Sequence, residues 1–104
     1  MADFAYYNIT TTAVTTISAI DNGTPKNIVI CNTDATGDSC VIDLFIDNAD
    51  SSKTYYILHD VEIPSSSTLV LEQPEVSYDS LIYNLKFLLT SASDNRSVDV
   101  KITY

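Results

Sequence analysis

Strict two-residue alternation near the carboxyl end constrains this chain more than any other feature. Val98, Val100, Ile102 and Tyr104 alternate with Asp99, Lys101 and Thr103. Successive side chains of an extended strand point to opposite faces, so this run reads as a strand with one dry side and one wet side. Leu81, Tyr83, Leu85, Phe87 and Leu89 repeat the pattern, with Asn84 and Lys86 on the other side. The polar segment of residues 91–97 between the two runs predicts a terminal hairpin.

Five further stretches, at residues 13–19, 26–32, 41–46, 54–58 and 68–71, read as strands bounded by turn chemistry. In Asp21-Asn22-Gly23-Thr24-Pro25, Asn and Gly tolerate positive φ and Pro fixes its own, which predicts a turn. Residues 47–52 read as a polar connection in the same style. Pro64 and Pro74 lack amide donors and are expected at strand boundaries. No window carries helical periodicity, and the abundance of Thr, Val, Ile and Tyr disfavours helix on propensity. The expectation is an all-β chain with one domain over residues 12–104. That domain is a β-sandwich of about seven strands, with immunoglobulin-like and jelly-roll topologies both open. Residues 1–11 are expected to form an extended arm that packs on a neighbour.

Charge narrows the partners. Fourteen carboxylates stand against five Lys and Arg, a net charge of −9, so phosphate backbones are repelled and nucleic acid is not expected as a partner. No run of roughly twenty apolar residues is present to span a membrane. The amino-terminal residues 1–7 lack the basic cluster and apolar run of a secretion signal. The chain is therefore expected to be made in the cytoplasm and to stay soluble.

The candidate chemistry is thin. The single imidazole is His59, followed by Asp60, with Ser65, Ser66 and Ser67 close by in sequence. A serine nucleophile normally sits on a glycine-rich turn, and the chain's two glycines, Gly23 and Gly37, are not in such a setting. No catalytic residue and no cofactor are expected. Asp47, Asn48 and Asp50 in one turn, and Asp34 and Asp38 in another, offer hard oxygen ligands for Ca²⁺. Their spacing matches no EF-hand, and these residue types favour turns for backbone reasons, so no metal is expected. Cys31 and Cys40 flank a polar loop. They form a cross-strand disulfide if the register sets them opposite each other, and two ordinary buried thiols otherwise. Phe4, Tyr6, Tyr7, Tyr55 and Tyr56 are the candidates for an interface. Tyr6, Tyr7, Tyr55, Tyr56 and Tyr78 are also the aromatic platforms a sugar-binding module would need, although the chain contains no Trp.

Residues 24–33 (TPKNIVICNT), 41–46 (VIDLFI) and 55–64 (YYILHDVEIP) leading into Leu69-Val70-Leu71, together with 78–86 (YDSLIYNLK), carry a resemblance. With them the chain resembles small virion structural proteins of tailed phages, especially phages of cyanobacteria. The likeness runs over most of the chain after about Thr12, and the Asp-x-x-Ile-Pro step at Asp60–Pro64 is its most specific part. The resemblance implies a non-enzymatic β-domain built into a virion. The leading expectation is a decoration or cement protein that binds the outer capsid lattice as a homo-oligomer such as a trimer. A neck, collar, tail or baseplate accessory protein is the first alternative, and a carbohydrate-binding module at the virion surface is the second.

Overall fold

In a computed structural model, residues 4–20, 23–34, 36–48, 53–90 and 96–104 are described. Eight strands lie among them: β1 (Phe4–Ile9), β2 (Thr15–Ser18), β3 (Asn27–Asn32), β4 (Cys40–Asn48), β5 (Lys53–Ile63), β6 (Thr68–Glu72), β7 (Asn84–Thr90) and β8 (Val98–Thr103). One turn of helix, α1 (Gln73–Val76), follows β6 with Pro74 in its first turn. A proline there gives up an amide that no helical carbonyl would have received.

The strands form two antiparallel four-stranded sheets, ordered β1-β8-β3-β6 and β2-β7-β4-β5. Within this order β1 pairs with β8, β2 with β7, β3 with β6 and β4 with β5. Each partnership is nested inside the previous one, as when a long hairpin is rolled into a barrel-like sandwich. This nesting is the jelly-roll arrangement, and it resolves the topology that the alternation pattern leaves open. The chain is an all-β sandwich.

Alternation decides which side chains enter the core. Val98, Val100 and Ile102 of β8 and Ile28 and Ile30 of β3 face Leu85, Phe87 and Leu89 of β7 and Ile42 and Leu44 of β4 across the sandwich. Ile9, Ile17, Cys40, Ile63, Leu71 and Val76 complete this buried cluster. Pro64 follows the last residue of β5, as its missing amide requires.

Three expectations are corrected. Part of the expected arm is a strand, which brings the described residues to eight strands where about seven were expected. Phe4–Ile9 pairs along its whole length with β8, from Phe4↔Thr103 to Ile9↔Val98. Without it, β8 would present a row of unpaired amides and carbonyls over a buried face. The expected terminal hairpin does not form either. β7 and β8 lie in different sheets, where their apolar faces meet each other instead of lying side by side. Finally, the alternating run begins later than expected, since Leu81 and Ile82 are exposed in the turn before β7. Gly23 takes φ +92 in the predicted turn at residues 21–25, of which Asp21 and Asn22 lie outside the described residues. In the connection expected at residues 47–52, Asp47 and Asn48 still belong to β4, and residues 49–52 lie outside the described residues.

Candidate functional site

The five interface candidates do not share one surface. Phe4 and Tyr6 stand on the outward face of β1, 49% and 71% exposed, with ring centroids 6.4 Å apart and planes nearly parallel. Tyr7, between them and Asn8, points the other way and packs against the core. Burial, reinforced by the neighbouring Tyr104 phenol, pushes its pKa up. Tyr55 and Tyr56 are adjacent on β5 and serve different neighbours. Tyr55 meets Tyr83 edge-on at 5.9 Å, whereas Tyr56 lies over Phe45 at 5.5 Å.

Across the outer face of the first sheet, register sets Tyr6 opposite Lys101, Lys101 opposite Val29 and Val29 opposite Val70. Tyr6, Asn8, Val29, Cys31, Asp99 and Lys101 line a shallow depression of about 360 Å³ there. Asn8 is held in place because its amide donates to Asp99 Oδ1 at 2.7 Å and to Ser97 Oγ at 3.0 Å. The result is a row in which Lys101 separates the aromatic Tyr6 from the aliphatic Val29 and Val70.

The second sheet carries a different feature, created by irregular pairing. β5 has eleven residues against nine in β4; one surplus residue is absorbed where Ile42 pairs with Val61 but Leu44 pairs with Leu58, and the other where Phe45 pairs with Tyr56. His59 and Asp60 therefore both face Asp43, a β-bulge that re-aims side chains. Asp60 takes φ +52, a left-handed conformation that Asp tolerates better than most residues. The amide that the bulge would leave unpaired donates to Asp43 Oδ1 at 2.7 Å. His59 Nδ1 lies 3.0 Å from the same oxygen. Asp43 is only 8% exposed, and these two donors compensate the burial of its carboxylate. The His59 ring also lies against Tyr56, centroids 4.4 Å apart.

Asp43 was not singled out from the sequence. It sits between Ile42 and Leu44 on the face that alternation assigns to solvent, and only the bulged β5 covers it. The serines close to His59 in sequence make their hydrogen bonds elsewhere. Ser65 Oγ donates to the Asp34 carbonyl at 3.2 Å, and the amides of Ser66 and Ser67 donate to the carbonyls of Asn32 and Pro64. Among the described residues, the polar partners of His59 are the carboxylates of Asp43 and Asp60.

The acidic turns read as calcium candidates are bound up internally. Asp34 Oδ1 accepts from the amide and hydroxyl of Thr36, and that hydroxyl also lies 3.1 Å from Asp38 Oδ2. Asp47 Oδ2 is paired with Lys86 at 3.1 Å. Asp50 lies outside the described residues. Cys31 and Cys40 are free thiols on strands of different sheets, so the disulfide does not form. Burial, reinforced by the nearby Asp34 carboxylate, pushes the Cys40 thiol pKa up, which makes it a poor nucleophile.

No protein-family model matches the chain, and no curated protein matches it. Among solved structures it is similar to hydroxypropylphosphonic acid epoxidase from S. wedmorenis in complex with fosfomycin, at 8% identity and a TM-score of 0.39. That likeness covers 97% of this chain and 42% of the epoxidase chain, so this chain spans less than half of its length. A likeness of that size has no bearing on what the chain binds or does.

Proposed function

We propose that the chain is a non-enzymatic structural protein of a phage virion that decorates the outer capsid lattice. The observation that carries this reading is the outward-facing row of the first sheet, where the stacked and exposed Phe4 and Tyr6 lie across Lys101 from Val29 and the exposed Val70. Exposed aromatic rings of this kind are enriched at docking surfaces. The jelly roll supports the same reading, since viral capsid domains use that scaffold. A repeated lattice also lets weak contacts of this size add up through multivalency.

Particles purified from the encoding phage are expected to hold hundreds of copies of the chain. A Phe4→Ala/Tyr6→Ala double variant, which removes exposed rings and leaves the core intact, should lower that occupancy at least tenfold. A few copies per particle would favour the neck, collar or tail alternative, and complete absence from particles would overturn a virion role. Association into a trimer or other homo-oligomer is read from the mass in solution.

One observation favours carbohydrate binding as the second reading. Tyr6 stands beside the hydrogen-bonding groups of Asn8, Asp99 and Lys101 at the depression, an aromatic platform with polar groups around it. Glycan-array binding that disappears with Tyr6→Ala would establish it.

A further inference from the structure

We infer that His59 Nε2 and Asp60 Oδ2 form a two-point binding site for a divalent first-row transition-metal ion, with Asp43 as the carboxylate that fixes the imidazole. In a regular strand, adjacent residues project to opposite faces and cannot share a ligand. Here the bulge and the left-handed Asp60 turn both side chains toward Asp43, and the reactive atoms of all three lie within 4.8 Å of one another.

The hydrogen-bond donors fix the proton. Asp43 Oδ1 already accepts the Asp60 amide and, as an ionised carboxylate oxygen, has no hydrogen to give. The ring nitrogen 3.0 Å away, Nδ1, therefore carries the hydrogen. In the neutral ring, Nε2 then presents a lone pair, and it lies 3.5 Å from Asp60 Oδ2, a second acceptor. Two acceptors held face to face repel each other unless a proton or a metal ion lies between them, and 3.5 Å is longer than an N–H···O bond normally spans. An ion bonded to both at about 2.1 Å closes an angle of roughly 110° across that separation, close to tetrahedral.

The rest of the surroundings agree. A ring nitrogen bound to metal characteristically has its other nitrogen donating to a carboxylate, the role Asp43 plays here. Imidazole with carboxylate is a donor set that suits Zn²⁺, Ni²⁺ or Cu²⁺ better than the oxygen-seeking Ca²⁺ or Mg²⁺. The His59 and Asp60 side chains are 57% and 71% exposed, which leaves the remaining coordination positions to water or to donors from another molecule. This inference does not depend on which surface the domain docks to.

The chain has one histidine, so its imidazole nitrogens give an unambiguous NMR signature. Tag-free protein titrated with Ni²⁺ or Zn²⁺ should show a saturable change at Nε2, with one ion per chain and the Nδ1 hydrogen retained. Asp60→Gly removes the carboxylate while permitting the same positive φ, and should weaken binding at least tenfold with the fold unchanged. His59→Ala should abolish it. The inference is overturned if the ring signals do not respond to either ion, or if Nε2 carries a proton that neither ion displaces at neutral pH. It is equally overturned if Asp60→Gly binds as tightly as the parent, or if calorimetry still finds one bound ion in His59→Ala and none in Cys31→Ser.

Discussion

Phe87→Ala is expected to lower the unfolding free energy by about 3–5 kcal/mol, the range found when a buried aromatic ring is truncated to a methyl group. Phe87 is fully buried in β7, a strand flanked by β2 on one side and β4 on the other, with Thr15 and Leu44 as its register partners. Its ring fills the space where the two sheets meet, so neither sheet can relax into the void without breaking its own ladder. Domains of this size are stable by roughly 5–15 kcal/mol, so this one truncation removes a third or more of the total in most of that range. The melting temperature should fall by roughly 12–40 °C. Phe4→Ala is the internal control, since an exposed ring should change stability by no more than about 0.5 kcal/mol. A Phe87→Ala loss below 1 kcal/mol in urea unfolding would show that the sheets do not close over this ring.

Asn32→Ala should cost about 2–5 kcal/mol although it deletes no apolar contact of comparable size. Asn32 ends β3 with no exposed surface. Its Nδ2 donates to the carbonyls of Asp38 and Ile63 at 3.1 and 2.9 Å, and its Oδ1 accepts the Asp34 amide at 3.0 Å. One side chain thus ties the end of β3, the loop before β4 and the end of β5. Alanine leaves the buried Ile63 carbonyl and Asp34 amide, and the more accessible Asp38 carbonyl, without this partner, and each buried orphan costs on the order of 1–3 kcal/mol before any water enters. Asn32→Asp is near-isosteric and should be at least as damaging, because it sets a carboxylate against two carbonyl oxygens. Equilibrium unfolding of both variants measures this. Losses below 0.5 kcal/mol would mean that the three strand ends are held by other contacts.

Periodicity revealed faces but not partners. Val98, Val100 and Ile102, and likewise Leu85, Phe87 and Leu89, alternate in the sequence and are all buried in the structure. The same alternation is satisfied whether two strands lie side by side or face each other across a core, which is why the expected hairpin of β7 and β8 failed. The sequence reads as an arm at β1 because the partner of each residue lies about ninety or more positions away, beyond the reach of any turn signal. The exposed Phe4 and Tyr6 were identifiable as aromatics near an edge, but the inward turn of Tyr7 needed the register. The Asp43, His59 and Asp60 cluster was illegible for a related reason. Pattern reading assumes two residues per repeat, and the bulged β5 breaks that count at the point where the three side chains converge.

The nested pairing also dictates how the chain must find its shape. Among the strands paired within a nest, β4 and β5 alone are joined by a short connection; β3 with β6, β2 with β7 and β1 with β8 close progressively larger loops around that hairpin. Loop closure is an entropic cost met before distant contacts reward it, so assembly should spread outward from the centre of the sequence and finish by seating Phe4–Ile9 against the last strand. Refolding after a denaturant jump should take milliseconds to seconds, the slow end for a small domain. A microsecond phase carrying the full signal would contradict this order of assembly.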